Sequence, residues 1–146
     1  MNWYCKTYEE LTKEELYALL ELRVAVFIVE QQCAYPEVDG VDRHSWHLFA
    51  ETDGAYAAYA RLIPAGVVYP EASIGRVLTA QMFRGQGLGR ELMRRALEEL
   101  EKTGETDIKI QAQEYAEKFY AQDGFLPISD PYLDDGILHV DMIRKR

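Results

Sequence analysis

Between Ser73 and Leu100 the chain runs from a short apolar strand pattern, SIGRVLTA, through RGQGLGR into the periodic segment ELMRRALEEL. This succession constrains the fold more than any other feature, because it joins a strand to a helix through backbone almost bare of side chains. Gly85, Gly87 and Gly89 alternate within five residues. Glycine reaches left-handed conformations and lets another group come against the main chain without a Cβ in the way. A helix beginning about Gly87 places Leu88, Leu92, Ala96, Leu97 and Leu100 on one face, with Arg94–Glu98 and Arg95–Glu99 as i,i+4 pairs on the other. Free N–H groups at such a helix start, with the helix dipole behind them, make an anion site. Arg84 and Arg90 add formal positive charge there, in a chain of net charge −9.

Two common phosphate-binding patterns do not fit. A Walker loop needs Gly-Lys-Ser/Thr at its end, and here Gly89 is followed by Arg90 and Glu91. A dinucleotide fingerprint needs Gly-x-Gly-x-x-Gly after a first βαβ strand; Gly85 and Gly87 match, but Arg90 stands at the third glycine. A glycine-rich turn that only caps a helix fits the segment taken alone, so the neighbouring segments decide its meaning.

Those neighbours give a regular alternation. MNWYCKTY reads as a first strand, and LTKEELYALLELRVAVFIVEQQ as a helix opened by a Thr12/Glu15 capping box with Leu11 and Leu16 at staple positions. HSWHLFAET and AYAAYARLIP form a hairpin about Gly54, and SIGRVLTA is the fourth strand. DIKIQAQ alternates with Ile108, Ile110 and Ala112 on one face, and EYAEKFYAQD is a short helix stopped by Gly124. FLPIS and ILHVDMIRK close the chain around a turn at Asp135–Gly136. The predicted order is β-α-β-β-β-α-β-α-β-β, an α/β chain with a mixed sheet and helices packed on it. At 146 residues it is expected to form one domain, 1–146.

Composition removes several function classes. The acidic balance argues against a nucleic-acid partner, which calls for a basic surface. No apolar run approaches the ~20 residues of a membrane span. The N-terminal residues lack a signal-peptide pattern, and a cytoplasmic location is expected. Cys5 and Cys33 are too few for a disulfide scaffold and read as buried, inert thiols. Asp39, Asp42, His44 and His47 superficially suggest metal ligands; without a cysteine or His-Glu-x-x-His pattern they read as loop residues, and no metal is expected.

Arg84, Gly87 and Gly89 match Arg/Gln-x-x-Gly-x-Gly/Ala between a strand and a long helix, the pyrophosphate loop of the GNAT superfamily of N-acetyltransferases. IGRVLTAQMFRGQGLGRELM resembles motif A of that family, and IKIQAQEYAEKFYAQDGF its motif B, ending in Tyr120, Gly124 and Phe125. The N-terminal half, with Arg23, Phe27, Glu30 and Gln31 in Arg-x3-Phe-x-x-Glu-Gln, is similar to the ElaA-like branch. The same pattern resembles acyl-homoserine-lactone synthases, which share the fold.

The resemblance implies a site. Acetyl-CoA would lie against the main chain of Val77, Leu78 and Thr79, with its pyrophosphate in the loop of Arg84, Gly85, Gln86, Gly87, Leu88, Gly89 and Arg90, beside Phe119 and Tyr120. Many relatives carry an asparagine just after the fifth strand, where this chain has Gln113 and Glu114. Tyr120 occupies the position of the general acid that protonates the departing thiolate, although Ala116, Phe119 and Tyr120 on one helix face would also suit core packing. Glu30 is the first candidate for general base and His47 the second, with a buried structural role as the alternative for the histidine. Arg23 either binds a substrate carboxylate or pairs in the interior with Glu30 or another acid. Glu114 either faces substrate or favours a helix start, and His139 either lines the acceptor cleft or packs there. The expected activity is direct acetyl transfer from acetyl-CoA to a primary amine of a small molecule or peptide, without a metal or a covalent acyl-enzyme. An acyl-homoserine-lactone-type synthase and a non-catalytic CoA-binding module are the alternatives. Monomer and homodimer are both open.

Overall fold

The computed structural model describes residues 1–145. The capping box forms as the sequence requires. Thr12 Oγ1 accepts from the Glu15 N–H at 3.0 Å, and Glu15 accepts from the Thr12 N–H at 2.8 Å. Helix α1 (Lys13–Arg23) follows strand β1 (Asn2–Thr7). The helical pattern predicted to continue to Gln31 does continue, but not as α-helix. Val24–Glu30 is a π-helix, with N–H donation from Gln31 to Val26 O and from Cys33 to Ile28 O across five residues. Branched residues crowd this stretch, and π geometry at a helix end frequently re-aims side chains toward a site. Here it turns Phe27 and Gln31 onto the cleft described below.

Strands β2 (Trp46–Thr52), β3 (Ala55–Ile63) and β4 (Ser73–Thr79) extend β1 into an antiparallel sheet of order β1-β2-β3-β4. Alternation divides their side chains between two layers. Phe49, Tyr59 and Leu78 pack with Leu19 and Val26. Leu48, Ala58, Ala60, Leu62 and Ile74 pack instead with Leu92, Met93, Ala96 and Leu100 of helix α2 (Leu88–Lys102). Arg94 pairs with Glu98 as expected, at 2.7 Å. Arg95 departs from its predicted partner Glu99: it pairs backward with Glu91 at 3.1 Å and lies over the Trp3 ring at 4.6 Å. An indole face gives the guanidinium a larger contact than a second exposed carboxylate does.

The C-terminal part is a second antiparallel sheet, β5 (Ile108–Gln113), β8 (Ile137–Arg144) and β6 (Leu126–Pro127), with β7 (Tyr132–Asp134) also paired to β8. Helix α3 (Glu117–Ala121) lies between β5 and β6. The sequence pattern anticipated two closing strands. The structure has three, because Pro127 has no N–H to extend β6 and Asp135–Gly136, at φ +50° and +79°, folds Tyr132–Asp134 back on Ile137–His139.

The two sheets meet through one parallel bridge, Ala72 with Ile108, where the Lys109 N–H donates to Ala72 O at 2.9 Å. Beyond it no ladder joins β4 to β5 among the described residues. The gap between them is the cleft. No described helix is long and apolar enough to cross a membrane.

Candidate functional site

Strand β4 is irregular at the cleft. Tyr59 faces Leu78 and Arg61 faces Gly75, so β4 carries a residue more than β3 between these pairs. The bulge centres on Arg76, at φ +51°. A left-handed non-glycine residue costs of order 1–3 kcal/mol and persists where surroundings over-determine it. The surroundings here are acidic. Arg76 Nε donates to Glu37 Oε2 at 2.8 Å, its Nη2 reaches Asp39 at 3.3 Å, and its guanidinium lies over the Tyr35 ring at 5.5 Å.

Glu37 and Asp39 belong to a larger cluster. Arg23, 1% exposed, contacts Glu37 at 2.6 Å and Asp42 at 2.8 Å. Arg61 contacts Asp39 at 2.9 Å and Asp42 at 3.0 Å, while its Nε has no partner among the described residues. Burial alone would push the Arg23 and Arg61 guanidinium pKa values down, but the charges and hydrogen bonds of the acids around them raise both. Burial likewise opposes ionisation of Asp39 and Asp42, and the arginines over-compensate, holding both carboxyl groups below their ordinary range. Three arginines and three acids thus fasten the loop after the π-helix to β3 and to the bulge of β4.

This assigns Arg23 to the interior, with Glu37 and Asp42 as partners and not Glu30. It also corrects His47 as base or substrate ligand. The ring is 1% exposed, with Nε2 2.9 Å from Asp42 O and Nδ1 2.6 Å from the Tyr59 hydroxyl. A carbonyl only accepts, so Nε2 carries the proton and Nδ1 accepts from the phenol. Burial lowers the His47 pKa.

Glu30, the first candidate for general base, is placed on the surface beside the loop before α2. It does not line the cleft. Its two carboxylate oxygens take Arg84 Nη1 at 2.9 Å and Nη2 at 3.1 Å, a bidentate pair on the surface. Arg84 Nε also donates to Thr79 O at 3.0 Å, which fixes the first loop residue to the end of β4. Gly85 and Gly87 have φ of +81° and +75°, and Gly87 is the residue before α2. The left-handed pair turns the chain so that the free N–H groups of the first turn of α2 lie at an open surface. Gln86 is exposed there, whereas Leu88 turns inward to the core. Gly89 lies against α3: a Cβ on it would stand 3.5 Å from Phe119 Cζ and 3.8 Å from Thr79 Oγ1. Arg90 folds back on Asp123, at 3.0 Å, and over the Phe119 ring at 5.6 Å.

The cleft has a volume of about 420 Å³. Val77 and Arg76 of β4, Gln113 of β5, Tyr120 of α3 and His139 of β8 line it together. Leu78 is buried behind it. Burial pushes the Tyr120 phenol above its ordinary pKa, and its hydroxyl has no hydrogen-bond partner among the described residues. Gln113 and Gln31 exchange amide hydrogen bonds at 3.1 and 3.2 Å, closing one side. Glu114 is exposed at the start of a 3₁₀ turn and off the cleft wall. Sequence reading missed Arg61, Arg76 and Glu37. Arg61, set among alanines and leucine in AYARLI, was the legible signal, since an arginine in a buried strand demands acids.

Comparison with known proteins agrees with this architecture. Residues 8–146 match the family model described as an acetyltransferase (GNAT) domain. The chain is 42% identical over 145 residues to a UPF0039 protein of Synechocystis, covering 98% of this chain and 94% of the relative. It superposes on the crystal structure of an acyl-CoA N-acyltransferase from Pseudomonas aeruginosa with a TM-score of 0.93 at 41% identity, covering 99% of both chains. The crystal structure of Escherichia coli ElaA gives a TM-score of 0.92 at 34% identity, again covering 99% of both chains. With a glycine loop before α2, a bulged β4 and a cleft between parted sheets, the chain belongs to the GNAT acetyltransferase family, in its ElaA-like branch.

Proposed function

We infer that this chain transfers an acetyl group from acetyl-CoA directly to an amine of a small molecule or peptide, within a ternary complex. The observation that carries the reading is the bulge at Arg76, which interrupts the β3–β4 ladder beside a cleft that also holds a phenol and an imidazole. Main-chain groups near Val77 are thereby offered to the thioester and the arm behind it, as a strand edge offers them to an added strand. An N–H directed at the thioester oxygen stabilises the charge that develops there during attack. The positive-φ loop and the start of α2 supply an anion site for the pyrophosphate, with Arg84 and Arg90 beside it.

Tyr120 is the proton donor to the departing thiolate. Burial keeps its phenol protonated, so the donor is present whenever the sulfur leaves. Cys33, the thiol on the cleft wall, already contacts Asp135 O at 3.2 Å, and direct attack by the amine needs no covalent acyl-enzyme. Ligand-dependent melting tests the reading. CoA should stabilise the protein by about 2.7 kcal/mol at a hundredfold excess over its Kd, and NAD should not. Absence of any shift at millimolar CoA would end it.

A further inference from the structure

With Glu30 engaged by Arg84 and His47 enclosed, the acceptor amine still needs a group to take its proton. An amine is an ammonium ion near neutral pH and cannot attack until that proton leaves. We propose that His139 takes the proton through Nε2, and that Asp134 and Asp135 beside it dock the ammonium, so that the acceptor is a cationic amine. The proposal rests on the acetyltransferase reading above and names the acceptor half of that site.

The geometry sets the tautomer. His139 Nδ1 lies 2.7 Å from Ile137 O. A carbonyl oxygen has no hydrogen to give, so Nδ1 holds the proton of the neutral ring and Nε2 keeps a free lone pair. Tyr132 of β7 stacks on the imidazole with ring centroids 6.3 Å apart. Gln113 of β5 is its cross-strand neighbour, on the other side from Tyr132. The ring is therefore oriented by a hydrogen bond and a stacking partner, and it lines the same cleft as Tyr120 and Val77. His47 is the reverse case, protonated on Nε2 with both nitrogens occupied.

The charges in the cleft favour a cation. Arg61 and Arg76 line it, but each is matched to carboxylates of the buried cluster. Asp134 accepts from Gln111 Nε2 at 2.8 Å, and neither it nor Asp135 pairs with a cation among the described residues. An acceptor bearing its own carboxylate beside the amine would meet repulsion from this wall.

The step balances without a co-reactant. His139 Nε2 takes one proton from the ammonium and later returns it to solvent. The neutral nitrogen forms the C–N bond, the C–S bond breaks, and the second proton lost by nitrogen equals the one the thiolate gains.

Two measurements decide the matter. Long-range nitrogen–proton NMR on the intact protein reads both tautomers without any acceptor: His139 should carry its proton on Nδ1 and His47 on Nε2. An Nε2-protonated neutral His139 overturns the proposal. In the second, acetyl transfer is followed from acetyl-CoA to ethylamine, a cation at the assay pH, and to trifluoroethylamine, largely neutral there. His139→Gln should lose about 10²-fold or more with ethylamine and less than about tenfold with trifluoroethylamine, while CoA-induced stabilisation stays at the wild-type value. An equal loss with both amines, or none, overturns the base role. Failure of CoA to stabilise the wild type falls instead on the acetyltransferase reading. If neither amine is turned over by wild type, the NMR result alone decides.

Discussion

Two arginine–carboxylate arrangements in this molecule use the same chemistry to opposite ends. Around Arg23, the guanidinium groups of Arg23 and Arg61 are buried with Glu37 and Asp42 between the π-helix, its following loop and the sheet, and Asp39 and Arg76 extend the cluster to the cleft edge. At the loop before α2, Arg84 meets Glu30 on the surface, each side chain about two-fifths exposed. In the interior, removing one partner strands a charge that water cannot reach. On the surface, water takes over at once, and the pair is worth little. The first arrangement is therefore fixed architecture, holding Arg76 in its costly backbone conformation. The second can exchange partners, and a phosphate group is a natural competitor for Arg84.

The comparison breaks first at Arg23. Arg23→Met should destabilise the fold by about 3–5 kcal/mol, because Glu37 and Asp42 stay buried without their main cation; urea unfolding measures it. The pH dependence has a defined sign. Asp39 and Asp42 have folded-state pKa values below the ordinary carboxyl value of about 3.9, so their contribution is full above that pH and is lost as pH falls through the depressed values. His47, also depressed, adds an earlier loss as pH falls below its ordinary value of about 6.5. The Arg23→Met penalty should shrink in acid, where the stranded carboxyl groups protonate. A penalty that is constant from neutral pH to pH ~3 would deny the acids their role.

Tyr120→Phe sharpens the contrast from the cleft side. Turnover should fall roughly 10²–10⁴-fold while stability changes by less than about 1 kcal/mol, since the hydroxyl has no hydrogen-bond partner to lose among the described residues. The loss belongs in kcat, because the proton is needed only as sulfur departs; turnover near wild type where chemistry limits the rate removes Tyr120 from the mechanism. A smaller effect is expected at Gly87. An added Cβ meets nothing within 4 Å, so Gly87→Ala should cost only the left-handed conformation, about 1–2 kcal/mol of stability. Weaker CoA binding in calorimetry beyond that cost would show that the loop's main chain touches the ligand. Glu30→Gln should do least, less than about 1 kcal/mol of stability, and should tighten CoA about two- to fivefold by releasing Arg84. Weaker CoA binding in that variant would mean that Glu30 orients Arg84 for the ligand instead of competing with it.

The fold was legible wherever a period and its punctuation coincided. The Thr12–Glu15 box, the apolar face of α2 and the alternation of β5 all appear as the residues dictate. The π turn at Val24–Glu30 was not legible, because periodicity does not separate α from π over a single turn. The loop from Arg84 to Gly89 was readable because its shape depends on left-handed backbone at Gly85 and Gly87, which glycine announces. The acceptor side was harder. His47 and His139 both lie on strands, and only the partner of each ring nitrogen, fixed by tertiary pairing, tells the enclosed ring from the open one.

The exposed pairing of Arg84 with Glu30 also bears on how the protein answers ionic strength. Salt weakens attraction between a polyanionic ligand and the arginines at the loop, over a screening length of about 8–10 Å at physiological concentration. The same ions loosen the Glu30 contact that holds Arg84 in the free protein, so more of the guanidinium becomes available as the pull on it declines. The two responses oppose each other. CoA affinity should therefore fall less steeply with added salt in wild type than in Glu30→Gln, where only the attraction remains to be screened.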